Sequence, residues 1–139
     1  MERENTMTKQ EFKELTQEKI LILDGATGSN LLKRGMPYGV CTELWVTQHP
    51  EVMRKLQREY IEAGSDIVYA PTFSGNRIKL KEYGLLDRME ELNHALVAIS
   101  REAAGGHALV AGDITMTGAQ LEPMGDLTFE ELVEIYREQ

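Results

Sequence analysis

The chain has a single cysteine, Cys41, among its 139 residues. No intrachain disulfide can form, which fits a reducing, cytoplasmic setting. Cys41 has no partner at CxxC spacing, and His49, His94 and His107 are scattered without an HxxxH pair. Structural and catalytic zinc both need at least three well-placed ligands, so no metal site is expected from this chain alone. Basic residues are also scarce: 15 Lys and Arg stand against 23 Asp and Glu, a formal net charge of -8. Phosphate contacts need clustered Lys and Arg, so nucleic acid is not an expected partner; a small molecule or another protein surface is. No apolar run approaches the roughly 18 residues of a membrane span. The start, "MERENTMTKQ", has no apolar signal-peptide core. Neither a membrane nor a secretory route is expected.

What is present is a rhythm of strand, Gly/Thr-rich loop and helix. A first helix is predicted over Lys9 to Gln17. Thr8 and Glu11 have capping-box spacing, and Met7 and Phe12 sit at staple positions. The run Ile20 to Leu23 lacks polar alternation, which predicts a strand buried on both faces. A short helix is expected over Asn30 to Arg34, ended by Gly35. In "HPEVMRKLQREYIEAG", Pro50 lies near the first helical position and Gly64 just past the end. Val52, Leu56 and Tyr60, with Met53 and Ile61, form its apolar face. "SDIVYAPTF" reads as a second strand ending at Pro71. Helices are predicted over Asn76 to Tyr83 and over Arg88 to Ala104, the latter capped by Asp87 with Glu90 at the third position. Its apolar stripe is Met89, Leu92, Leu96 and Ile99. "HALVAGDI" reads as a third strand and "MTGAQLEPMGD" as a loop. Thr128 and Glu131 form another capping box, with Leu127 and Leu132 as staple, and open a helix that runs to Gln139.

Strands separated by helices point to parallel βα units. Three such strands alone would leave two exposed sheet edges. The expectation is therefore the front portion of a larger α/β protein.

Ligands of parallel α/β proteins gather at the carboxyl ends of the strands. Three loops qualify: "DGATGSN", "PTFSGN" and "GDITMTG". The first resembles a phosphate loop but lacks the Gly-Lys-Ser/Thr ending of a Walker motif, and only Gly25 and Gly28 stand where a dinucleotide fingerprint needs three glycines. Asp24 is more decisive. A carboxylate there would sit where phosphate lies, and like charges about 4 Å apart repel by several kcal/mol when partly buried. An acid at a strand tip suits an ammonium group, or else it caps the next turn. Phe73 either walls a pocket or belongs to the core. Asn76 either meets ligand or caps the helix from Arg77, the commoner role. Asp113 either points into the mouth of the fold or binds a neighbouring strand's backbone. Trp45, in a loop before a helix, either covers a pocket or anchors the loop. Met116 and Met124 flank the last loop and are more often gap-fillers than ligands.

Four stretches in order, "LDGATGSNLLKRG", "PEVMRKLQREYIEAGSDIVYAPTFSGNRIKL", "ELNHALVAISREAAG" and "LVAGDITMTGAQLEPMGDLTFEELVEIYREQ", resemble the amino-terminal part of homocysteine S-methyltransferases. The likeness looks strongest to the homocysteine-binding module of the cobalamin-dependent methionine synthase type. The resemblance implies a (β/α)8 TIM barrel. Residues 1–139 would supply its N-terminal portion: a helical extension over 1–18, then about three βα units over 19–139. It implies methyl transfer to the zinc-activated thiol of homocysteine, giving methionine, with methylcobalamin as donor. The zinc cysteines of the family lie in Gly-x-Asn-Cys and Gly-Gly-Cys-Cys stretches, neither of which this chain contains. No catalytic or metal residue is therefore expected here, and the isolated chain is expected to be inactive. The implied substrate cradle is Asp24 and Gly25 after strand one, Thr72 and Phe73 after strand two, and Thr117 and Gly118 after strand three. Thr115-Met116 precede the last pair, where the family often has Gly-Pro. Implied partners are homocysteine, the remaining barrel, and the cobalamin and folate modules of a full-length enzyme. Two other readings stand beside this one: a non-enzymatic fragment that self-associates through its open sheet edges, and a small nucleotide-binding α/β protein.

Overall fold

A computed structural model describes residues 6–139. Helix α1 spans Lys9–Glu18 and closes the expected capping box in both directions, with Glu11 N–H on Thr8 Oγ1 at 3.2 Å and Thr8 N–H on Glu11 Oε2 at 2.7 Å. It buries no residue, and Met7 and Phe12 stay substantially exposed. The cap is therefore made locally, without the help of a core.

Helix α2 (Gly28–Lys33) starts two residues earlier than the sequence reading. Helix α3 (Thr42–Gln48) falls where that reading had a loop. Its N-cap, Cys41, makes no side-chain cap bond, and Thr, Trp and Val are modest helix formers. Packing holds it instead: Glu43, Trp45 and Val46 are all buried. Trp45 thus anchors α3 in the core, with the ring of His49 stacked on it at 4.3 Å. Helix α4 (Pro50–Glu62) begins on Pro50 as expected.

Strand β1 is Ile67–Tyr69 and strand β2 is Leu109–Ala111. They pair in parallel, with Ile67 opposite Leu109 and Tyr69 opposite Ala111. Between them run α5 (Arg77–Glu82), a 3-10 turn at Leu86–Arg88, and α6 (Met89–Ala104). Asp87 lies inside that turn and does not cap α6, whose N-cap is Arg88. Helix α6 ends at Gly105, in the left-handed conformation (φ 52°) that glycine tolerates best. Helix α7 (Phe129–Glu138) opens with the expected Thr128–Glu131 capping box.

The Ile20–Leu23 segment departs from expectation. It runs parallel to β1 but makes only one bridge, Leu23 to Ile67. The Asp66 carboxylate takes the Ile22 amide at 2.9 Å, where a continued ladder would use a backbone carbonyl. Nor is the segment buried on both faces. Ile20 is 92% exposed and Ile22 56%, because the apolar core lies elsewhere. That core is helical: Leu31, Trp45, Val46, Met53, Leu56, Leu96 and Ile99 interlock between α2, α3, α4 and α6. Leu80, Met89 and Leu92 form a second cluster with Cys41. The helices thus pack against the strands, and Ile67 and Val68, which point to opposite faces of β1, are both buried. No helix among the described residues is long and apolar enough to cross a membrane.

Candidate functional site

The carboxyl ends of the strands frame a cleft of about 360 Å³. Asp24 reaches it as the residue directly after the Leu23 bridge. Its amide donates to Ile67 O at 2.9 Å, and its Oδ2 accepts from Tyr69 N–H at 3.2 Å. The carboxylate is thus held against the end of β1 and does not cap α2, whose N-cap is Thr27. Burial pushes its pKa above the usual Asp range. The Tyr69 amide works against that rise, and the charge of Asp113 adds to it.

Gly25 lines the same cleft, but its want of a side chain answers to another neighbour. A Cβ at Gly25 would lie 2.9 Å from Tyr60 Oη. Tyr60, on α4, donates its hydroxyl to Ala26 O at 2.8 Å and accepts from Asn30 Nδ2 at 3.1 Å. The loop after Asp24 is bolted to α4 through that phenol, and only glycine lets the backbone lie so close to it.

Phe73 is 53% exposed and stands in the cleft wall, outside the core. Thr72 is buried and does not line the cleft. Its hydroxyl donates to Asp113 O and accepts from Asp113 N–H, both at 2.9 Å. It therefore ties the end of β2 to the end of β1 and sets the place of Asp113, which lines the cleft. Asn76 caps α5 through its Oδ1, on Lys79 N–H at 3.0 Å. Thr117 and Gly118 also lie outside the cleft lining. Thr117 is buried with its hydroxyl on Ala119 N–H, and Gly118 (φ 84°) turns over the end of the Lys79 side chain. Of the six residues the sequence implied, the fold brings Asp24, Gly25 and Phe73 together and leaves Thr72, Thr117 and Gly118 behind them.

Sequence reasoning missed Glu43. It lines the cleft from α3 and is only 3% exposed. Its one signal was an acid among apolar neighbours in "CTELWV", in a stretch not recognised as helical. Asp24, Glu43 and Asp113 thus meet at one cleft whose lining holds no Lys, Arg or His. Such a site favours a cation rich in N–H donors and repels phosphate.

The residues present do not fit a zinc site. Among the described residues no three His, Cys, Asp or Glu are grouped to hold a metal. Burial, with the charge of Glu43 beside it, pushes the Cys41 thiol above its usual range and away from the thiolate that zinc binds.

A family model for homocysteine S-methyltransferase matches residues 21–139. The S-methylmethionine–homocysteine S-methyltransferase BHMT2 of Pongo abelii is 36% identical over 105 residues, covering 74% of this chain and 28% of that protein. Betaine–homocysteine S-methyltransferase 1 of Danio rerio is 33% identical over 129 residues, covering 90% of this chain and 32% of that protein. This chain therefore spans less than a third of either relative. In fold it is similar to the crystal structure of the homocysteine methyltransferase MmuM from Escherichia coli in its oxidized form. The TM-score is 0.63 at 24% identity, over 74% of this chain and 40% of that one. The same enzyme in its metallated form matches with the same TM-score at 23% identity. Nearly the whole described chain, its cleft included, falls within the family match: the protein belongs to the homocysteine S-methyltransferase family.

Proposed function

We propose that this chain forms the homocysteine-facing front of a (β/α)8 methyl-transfer barrel. It comprises a helical extension within residues 1–18, of which 1–5 lie outside the described residues, and about three βα units over 19–139, the first of them entered by the singly bridged Ile20–Leu23 segment. The observation that carries the reading is the meeting of the partly exposed Asp24 and Asp113 at a cation-free cleft at the strand ends, in a chain of this family. Asp24 meets the α-ammonium of homocysteine, with Gly25 and Phe73 beside it. Thr72, Thr117 and Gly118 act through the backbone they hold. The reaction breaks the bond between the methyl group and its donor, whose electron pair leaves with the demethylated donor, and joins the methyl to the substrate sulfur, whose thiol proton departs. A thiol of pKa about 8.5 is mostly protonated at neutral pH, which is why thiolate-forming zinc suits this chemistry. The residues described here would not hold that metal, so the chain by itself binds and orients substrate without activating it.

The test is calorimetric titration with L-homocysteine. Asp24→Asn should weaken binding about 10- to 100-fold, the scale of one charge-assisted hydrogen bond. Equal binding by Asp24→Asn would overturn the role of Asp24. Methyl transfer should be absent from the pure chain with zinc supplied, and measurable turnover would sink that part of the reading.

The methyl donor is the finer question. The methionine synthase reading implies methylcobalamin, with cobalamin and folate modules as partners and methionine biosynthesis in the cytoplasm as the setting. The relatives are named for betaine and S-methylmethionine. Offering the three donors in turn to the protein with its complete barrel distinguishes them. Against the nucleotide-binding reading, the cleft lining offers no cation to a phosphate.

A second reading has one observation in its favour. Ile20, Ile22 and Leu23 are exposed beside an open strand edge, as a self-associating fragment would present them. Light scattering tests it: mass rising with concentration supports association, and a constant monomer mass rejects it.

A further inference from the structure

Of the three acids at the cleft, Glu43 is the buried one, whereas Asp24 and Asp113 are partly exposed. Both its oxygens are already engaged by the chain itself. Oε1 accepts from Ser74 N–H at 2.8 Å, and Oε2 accepts from the Cys41 thiol at 3.5 Å. Burying a carboxylate is costly unless donors meet it, and here two do. Glu43 is thus poorly placed to receive a ligand and well placed to hold a loop. That loop is the one carrying Phe73. Its far side is gripped by Asn93, whose Nδ2 donates to Gly75 O at 2.8 Å, and by Gln139, whose Nε2 donates to Thr72 O at 2.8 Å. On the cleft side Glu43 supplies the hold, joining the loop after β1 to α3.

We infer that Glu43 is a positioning residue of this cleft: it fixes the Ser74 amide to α3 and thereby sets Phe73 as the wall against which substrate lies. The inference rests on the homocysteine reading above and adds to it a residue that acts through the loop.

The test uses the full chain, L-homocysteine as probe, calorimetry for affinity and amide NMR for Ser74. Glu43→Ala should remove the downfield, exchange-protected Ser74 amide signal and weaken homocysteine about tenfold, with Asp24 intact, because small displacements of a binding wall are expensive. Glu43→Gln keeps an acceptor for Ser74 and should bind within about twofold of the parent. Where Glu43→Ala does not fold, Glu43→Asp replaces it: the charge stays, the reach shortens by one methylene, and affinity must again fall. Binding unchanged in the Ala or Asp variant overturns the inference. So does a Gln variant as weak as Ala, since the charge itself would then be what substrate senses. If the parent chain binds no homocysteine, the functional reading fails and takes this one with it. Parent binding with an indifferent Glu43 variant sinks the positioning role alone.

Discussion

Asp24 has two demands on it that pull in opposite directions. A substrate ammonium wants it ionised, while its partly buried site resists ionisation, which is what a raised pKa means. The linkage has a definite sign. A carboxyl raised in the folded state binds its proton more tightly there than in the unfolded chain, so its contribution is favourable at low pH. That contribution is lost as pH rises from the ordinary Asp value of 3.8 through the folded pKa. Asp24→Asn keeps an oxygen for the Tyr69 amide and cannot ionise. It should therefore melt above the parent at pH 7, and the gap should close below pH 3.8. Thermal melts of both proteins across that range check it. A variant less stable at pH 7 would mean that the Tyr69 hydrogen bond outweighs the burial. The place of this residue at the cleft was legible in the sequence, where an acid after four apolar residues already argued against phosphate. Glu43 was not legible, because its partners Ser74 and Cys41 lie on separate elements and only folding brings them together.

At the scale of elements, the two capping boxes were read well, while the Asp87 cap of α6 and the burial of the elements were not. Capping is local chemistry: Thr8 with Glu11 and Thr128 with Glu131 close three residues apart whatever the rest of the chain does. Their consequences differ with packing. Helix α7 buries Ile135 and ties Tyr136 to Thr115 O at 3.0 Å, whereas α1 buries nothing. Thr128→Ala should therefore cost about 1 kcal/mol of global stability in urea unfolding. Thr8→Ala should leave the urea midpoint unchanged and only fray α1, seen as faster amide exchange in its first turn. Helix α3 escaped the sequence reading for the reverse reason: it has weak local signals and strong burial. The Ile20–Leu23 run misled in the other direction. A continuous apolar run gives no indication of which neighbours will cover it, and here the side chain of Asp66 takes a rung of the ladder.

Across the whole molecule, stability is concentrated around α6. Helix α6 packs against α3, α4 and both strands, and Leu96 on its inner face is fully buried in the main cluster. Leu96→Ala should cost about 2–5 kcal/mol, measured by chemical unfolding. A loss this large is comparable to the total stability of many domains, so the variant is expected to unfold partly at 37 °C. Away from that core the same molecule presents Ile22, Ile114, Met116 and Phe129 to solvent. The cleft is lined from the end of β1 and the loop that follows it, the loop that begins at Asp24, α3 and Asp113.

By itself the sequence determined whatever depends on near neighbours. Apolar periodicity set α4 and α6, paired side chains set the caps of α1 and α7, and four motifs in order indicated the family. It also placed Asp24, Gly25 and Phe73 at strand ends. Tertiary structure decided what depends on distant residues meeting. It turned Thr72 inward to clamp Asp113, made Gly25 answer to Tyr60, folded the Trp45 loop into a helix and brought Glu43 beneath the loop of Phe73. The physical reason is range: a helix cap spans three residues, whereas the hydrogen bond from Ser74 to Glu43 spans 31, and no local pattern encodes a contact of that length.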